Sequence, residues 1–289
     1  MKTVVETHFI KKHFSEAKTY ELIKQAGFDA ADLSLYYGSI KLDENYLTAA
    51  KETRRLLDEV GLPCVQAHAP FFLWHNPGFQ YGMTLDVSEP TFLELTRSIE
   101  YAAIAGSKNI VVHGILVPDG PKTAASMDYN YKFFKALAPY ARDAGIKIAV
   151  ENIPDGYNSV LPSPFMLSEM LRRLDDPEVF CACIDVGHSN LERIQPQDFI
   201  RSMTTGTVQA LHIHDNFGSV DNHLLPGHGR LDWEEITKAL ADIDYQGDFT
   251  LEAVSFWKAF DADTMPDAIA LAAKVARKLV DKIEAYRNA

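Results

Sequence analysis

The chain has 289 residues, a formal net charge of −12, 47% hydrophobic residues and 24% charged residues. That length can bury a sizeable core in one large domain, and an α/β barrel typically needs about 250 residues. The acidic balance argues against gripping a phosphate backbone, and no stretch of about 18 uninterrupted apolar residues offers a membrane span.

Short apolar or β-branched runs alternate with longer amphipathic stretches. Residues 3–9 read as a strand and 15–26 as a helix, with Ser15 as N-cap and Gly27 as the stop. Residues 28–35 read as a strand, 44–60 as a helix closed by Gly61, and 63–68 as a third strand. The helix 90–105 stops at Gly106, and the strand 109–113 precedes the helix 127–144, stopped by Gly145. Then come the strand 146–151, the helix 164–174, the strand 179–185 and a short helix near 197–203. The strand 208–212, the helix 232–242, the strand 247–252 and the helix 266–285 complete the chain.

Eight strands alternating with eight helices imply parallel strands joined by right-handed crossovers. The expected fold is therefore a single-domain (β/α)8 TIM barrel over residues 1–289. No Gly-rich phosphate fingerprint follows the first strand, which argues against a dinucleotide-binding fold. The longest irregular segments, residues 69–89 and 214–230, follow the third and seventh strands and would form lids or substrate walls.

The N-terminus lacks a secretory pattern, and three cysteines give no disulfide framework, so a cytoplasmic protein is expected. Cys181 and Cys183 would share one face of a strand and read as small core residues.

In a barrel the chemistry sits where the strands end. Here the third to eighth strands end in His68, His113, Glu151, Asp185 with His188 close behind, His212 with His214, and Glu252. A single such residue is usually an ordinary rim or core group. Six consecutive strands delivering His, Asp or Glu to one mouth are different, because carboxylates crowded there repel one another and lose hydration. One divalent metal ion resolves the conflict. The oxygen-rich donor set favours Mn²⁺ first, then Mg²⁺ or Co²⁺, with Zn²⁺ also acceptable.

The motifs HAP (His68), VVHG (His113), VEN (Glu151), DVGH (Asp185, His188), HIHD (His212), DNHLLPGHG (Asp221, His223) and LE (Glu252) span most of the chain. Together they resemble the xylose isomerase-like TIM-barrel superfamily. This includes sugar and sugar-phosphate isomerases and epimerases, ketose 3-epimerases, inosose dehydratases and DNA-repair enzymes of the endonuclease IV type. The resemblance implies a metal held by Glu151, Asp185, His212 and Glu252. It favours His212 over His214 because the family pattern places an Asp three residues after the ligand, where Asp215 stands. It makes His188 and His223 contacts to the substrate or to the ligands, as Asp221 would be, with His68 and His113 lining the mouth. Glu151 and Glu252 would move the proton in the reaction. The family's Gly-Glu-Gly is replaced here by Gly227-His228-Gly229.

The chemistry that suits such a site is proton abstraction beside a carbonyl, with the metal stabilising an enediolate. Return of the proton gives epimerisation or isomerisation, and loss of hydroxide gives dehydration. The expected partner is a small sugar or polyol, with no nucleic acid and no membrane; a homo-oligomer is left open. No Lys or Arg cluster marks the last two loops, which favours a free sugar, although Lys122, Arg230 or Lys258 could hold a phosphate. Phe71, Phe72, Trp74, Phe217, Phe256 and Trp257 supply aromatic faces for sugar CH groups. The rival is an abasic-site endonuclease with three metal ions, for which every ligand type is present but the basic surface is not.

Overall fold

The structure is a computed structural model describing residues 1–35, 44–71, 85, 87–88, 90–116 and 124–289. Its strands are β1 (Thr3–Glu6), β2 (Ala30–Ser34), β3 (Cys64–His68), β4 (Asn109–Val112), β5 (Lys147–Glu151), β6 (Phe180–Asp185), β7 (Val208–His212) and β8 (Phe249–Leu251). Nearly every strand residue is buried, as expected where the barrel interior lies on one face and helices cover the other.

The strands pair in parallel in the order β7-β6-β5-β4-β3-β2-β1-β8. The ring closes just beyond β7. Ile213 bridges to Leu251, its N–H donates to the Thr250 carbonyl at 2.8 Å, and Glu252 N–H donates to the Ile213 carbonyl at 2.9 Å. The predicted eight-stranded parallel barrel is thus the observed one.

The helices are α1 (Glu16–Ala26), α2 (Tyr46–Val60), α3 (Pro90–Ala105), α4 (Ala124–Ala144), α5 (Pro164–Leu174), α6 (Val186–Leu191), α7 (Pro196–Ser202), α8 (Trp233–Asp242), α9 (Val254–Trp257) and α10 (Met265–Arg287). Ser15 caps α1 by accepting from Lys18 N–H. Gly27 and Gly61 end α1 and α2 in the left-handed region, at φ +98 and +65, where a side chain would be strained.

Two short helices escape the periodicity of the sequence. α6 starts at once after β6, capped by the Asp185 carboxylate, and α9 follows β8. β1 also ends earlier than the predicted strand 3–9. His8 N–H turns back to Glu6 Oε1 at 2.5 Å, and a 3-10 turn follows at Ile10–Lys12.

The main core lies between the barrel and its helices. Two smaller apolar clusters come from strands alone and fill the barrel: Val4, Ala30 and Val65, and then Val111, Ala149, Cys181, Cys183 and Ala210. All three cysteines are free and buried, so Cys181 and Cys183 are core residues as expected. Among the described residues, no helix is long and apolar enough to cross a membrane.

Candidate metal centre

Side-chain alternation puts polar residues above these apolar layers, at the C-terminal mouth. Glu151, at the end of β5, is central. Its Oε1 lies 2.9 Å from His212 Nδ1, and its Oε2 lies 2.8 Å from His113 Nε2 and 3.6 Å from His68 Nε2. Glu252 reaches the same His212 nitrogen, with Oε2 at 3.5 Å. His68 and His113 face each other, Nε2 to Nε2, at 3.1 Å.

Asp185 joins a second group of imidazoles. His214 Nε2 lies 3.0 Å from its carboxylate. Asp221 Oδ2 lies 2.9 Å from His223 Nε2 and 3.3 Å from His188 Nε2. Four sets have donor atoms within 4.8 Å of one another: Glu151–Asp185–His188, Asp185–His212–Glu252, His68–Glu151–His212, and His188–His214–Asp221–His223. The ten His, Asp and Glu residues singled out in the sequence therefore meet in one network. His212 and His214 take different parts in it, the first between the two glutamates and the second against Asp185 and Asp221.

Trp257 stands apart, fully buried in the main core with no hydrogen-bond partner for its indole nitrogen. Of the other aromatics, Phe71 packs on His68 and His113 with centroids 5.7 and 5.2 Å away. Phe217 is exposed, and Phe256 sits beside His228. Phe72, Trp74 and Lys122 lie outside the described residues. Arg230 is exposed, while Lys258 faces the ring of Phe9, as does Lys12.

The electrostatics are those of interlocked opposite charges. Burial alone would raise the Glu151 pKa, but His212 and His113 hold it well below the usual carboxylate range. Asp185 is lowered in the same way by His188 and His214, which outweigh its burial. Burial opposes charging of His188, yet Asp185 and Asp221 bring it up to about 10. His223, also buried, is raised to about 9 by Asp221. His113 goes the other way, lowered by its loss of hydration.

Neighbouring residues fix this arrangement. Asn152, next to Glu151, accepts from Asp185 N–H at 2.7 Å and donates to the Asp185 carbonyl at 3.0 Å, tying β5 to β6. Its own carbonyl lies 2.9 Å from His188 Nδ1. Asp215 anchors the loop after β7 by accepting from Gly227 N–H, Leu231 N–H and the Trp233 indole at 2.9–3.1 Å.

Sequence reasoning missed two buried carboxyls in the barrel, Glu6 and Asp32, which stand opposite each other in the β1–β2 register. Glu6 Oε1 accepts from Ser34 Oγ and from His8 N–H, while Oε2 has no partner. Burial pushes its pKa to about 7, with Glu252 and Asp32 adding to the shift. Asp32 accepts from Gln66 Nε2 at 3.1 Å. The available signal was strand parity, since Glu6 follows inward-facing Val4 by two residues.

The donor set suits a divalent cation. Glu151, Asp185, His212 and Glu252 offer oxygen and nitrogen atoms, and among the described residues buried His214 Nδ1 and Asp221 Oδ1 have no hydrogen-bond partner. Fold and site together define a parallel β/α barrel with a ring of carboxylates and imidazoles at its C-terminal mouth. The chain belongs to the xylose isomerase-like TIM barrel family, whose model matches residues 20–279.

Among its relatives, protein y4fM of Sinorhizobium fredii is 28% identical over 264 residues, covering 80% of this chain and 79% of that one. Protein MJ1311 of Methanocaldococcus jannaschii is 29% identical over 192 residues, covering 65% and 64%. A D-tagatose 3-epimerase-like protein shares the fold with a TM-score of 0.78 at 24% identity, covering 100% of this chain and 99% of its own. The D-psicose 3-epimerase of Clostridium cellulolyticum H10, solved with D-tagatose, has a TM-score of 0.76 at 15% identity, covering 97% and 99%. A 3-keto-D-glucoside 4-epimerase from E. coli has a TM-score of 0.70 at 17% identity, covering 94% and 98%.

Proposed function

We propose that the protein is a divalent-metal-dependent epimerase or isomerase of a small sugar or polyol. One observation carries the reading. Two buried glutamates, Glu151 and Glu252, lie 2.9 and 3.5 Å from the same His212 nitrogen, so two carboxylates flank one centre. Glu151, Asp185, His212 and Glu252 would hold the ion, with Mn²⁺ preferred by this hard donor set and Mg²⁺, Co²⁺ or Zn²⁺ acceptable.

When bound, the cation supplies Lewis acidity to a substrate carbonyl. Glu151 and Glu252 then act as base and acid on the carbon beside it, one removing the proton and the other returning it. Return on the opposite face epimerises that carbon; return to the neighbouring carbon isomerises the sugar. The same pair permits a dehydratase if a hydroxyl leaves instead. His188, with Nε2 3.3 Å from Asp221 Oδ2, would line the substrate site together with Asp221, and Phe71 offers an apolar face beside His68 and His113. Sugar epimerases among the proteins of like fold support this reading, and free buried cysteines suit a cytoplasmic enzyme.

The test is a conversion screen of free ketoses and inososes with the metal content of the protein measured alongside. The reading expects one sugar to be converted with added Mn²⁺, and activity to vanish on chelation. Full conversion by chelated, metal-free protein would refute it.

A second reading, an abasic-site endonuclease with three metal ions, is favoured by the separate donor set of His188, His214, Asp221 and His223. The net charge of −12 opposes it, because a duplex-gripping surface needs Lys and Arg. Metal-dependent nicking of an abasic duplex by the wild type, lost in Glu252→Gln, would establish it.

A further inference from the structure

The two nitrogens of His212 face different surroundings. Nδ1 points at Glu151 and Glu252, whereas Nε2 has no nitrogen or oxygen hydrogen-bond partner among the described residues. Among the described residues, the carboxylate nearest to Nε2 is Asp32 on β2, with Oδ2 at 3.8 Å. Both side chains are wholly buried.

Asp32 is held there by construction. It stands opposite Gln66 in the β2–β3 register, and Gln66 Nε2 donates to Asp32 Oδ2 at 3.1 Å. The same amide nitrogen reaches the carbonyl of Leu211, the residue before His212, at 3.4 Å. Asp32 Oδ1 has no hydrogen-bond partner among the described residues. A carboxylate buried with so few hydrogen bonds costs folding free energy unless a cationic or donor group faces it. The groups whose charge acts on Asp32 are His212 and His68, which favour its ionised form, and Glu252, which opposes it, with Glu6 opposite it in the β1–β2 register.

A histidine that binds a metal through one nitrogen generally gives its other N–H to an acceptor, which fixes tautomer and ring angle. We propose that Asp32 is the positioning residue for His212, accepting Nε2–H so that the Nδ1 lone pair is held toward Glu151 and Glu252. Closing the gap to hydrogen-bond length takes a shift of about 1 Å. The proposal rests on the metal reading of Nδ1, but not on which sugar is turned over. Cys183 is the rival partner, since its thiol also contacts His212.

The experiment uses the full chain loaded with Zn²⁺, which is diamagnetic, and compares wild type with Asp32→Asn, Asp32→Leu and Cys183→Ala. Long-range ¹H–¹⁵N correlation reports which nitrogen of His212 carries the proton, with His212→Gln assigning the signals. Chelator competition reports the Zn²⁺ and Mn²⁺ affinities, and heat unfolding of the metal-free proteins reports folding.

The expected wild-type state is Nε2–H. Asp32→Leu should bind metal about 10- to 100-fold more weakly, with Asp32→Asn weakened to a lesser degree. The metal-free variants should unfold no lower than wild type, because a poorly paired buried carboxylate has been removed. Cys183→Ala should keep wild-type affinity. Unchanged affinity and tautomer in the Asp32 variants, or the loss appearing in Cys183→Ala instead, would overturn the proposal. Weakened binding in the Asp32 variants, in a protein that turns over no sugar, would support the positioning role and refute the proposed activity alone.

Discussion

Gly187 lies directly against the imidazole of His214: a Cβ on Gly187 would come within 2.0 Å of His214 Cε1. His214 is itself fully buried and bound to Asp185, so it cannot swing away without breaking that contact. Gly187→Ala should therefore cost about 1–3 kcal/mol, the usual range for forcing extra volume into a packed site. Chemical denaturation of the metal-free protein measures it, and wild-type stability in the variant would show that His214 moves freely.

Glu6 makes stability depend on pH. Its pKa rises from 4.5 to about 7 on folding, chiefly through burial. Between these values the folded protein keeps a proton that the unfolded chain has released, so stability falls as pH rises through that window. Below pH 4.5 both states hold the proton and the penalty is absent. At about 1.4 kcal/mol per pH unit, the full effect is on the order of 3 kcal/mol above pH 7. Glu6→Gln should thus stabilise chelated protein at pH 8, with the gain vanishing toward pH 4.5. Parallel denaturation curves for the two proteins at pH 5 and pH 8 check it. A gain that is the same at both would mean that Glu6 titrates normally.

Glu151→Gln and Asp185→Asn should lose bound metal and turnover together. Each replacement removes an anionic donor from a site whose imidazoles are then left with excess positive charge. Elemental analysis beside an activity assay decides the matter. Full metal occupancy and full turnover in both variants would mean that the ion, if it binds, sits elsewhere.

Much of the barrel is legible in the sequence because the signals are local. Gly27, Gly61, Gly106 and Gly145 each follow a helix, and strand after strand ends in a chemically loaded residue. What stays hidden depends on register and on single turns. A shift in the β2–β3 pairing at Ala31/Asp32 means that the inward face of β2 cannot be counted from Ala31 alone, and Asp32 passes as an ordinary strand acid. Glu6 is hidden because the predicted strand runs on past it to Phe9, although its own side chain turns the chain at His8.

The same limit applies at the mouth. His212 and His214 alternate onto one face; the spacing to Asp215 favours His212 by resemblance, but their distinct partners, the glutamates for one and Asp185 for the other, show only in space. α6 and α9 are six and four residues long, too short for a helical period to show. Trp257 reads as a mouth aromatic because it follows the last strand closely, but α9 turns it into the core.

In the proposed reaction Glu151 and Glu252 move a proton on a carbon beside a carbonyl. Solvent isotope exchange tests it most directly. Mn²⁺-loaded wild type is incubated with individual ketoses and inososes in D₂O, and the recovered sugars are read by NMR for carbon-bound deuterium. Glu252→Gln is run beside it, with its metal content measured. The account predicts deuterium at a single carbon adjacent to the carbonyl of one substrate and of its product. It further predicts no net conversion by metal-loaded Glu252→Gln, with residual exchange from only one partner of the pair. Conversion of a sugar by the wild type without deuterium incorporation, or equal exchange from both partners in metal-loaded Glu252→Gln, would contradict it.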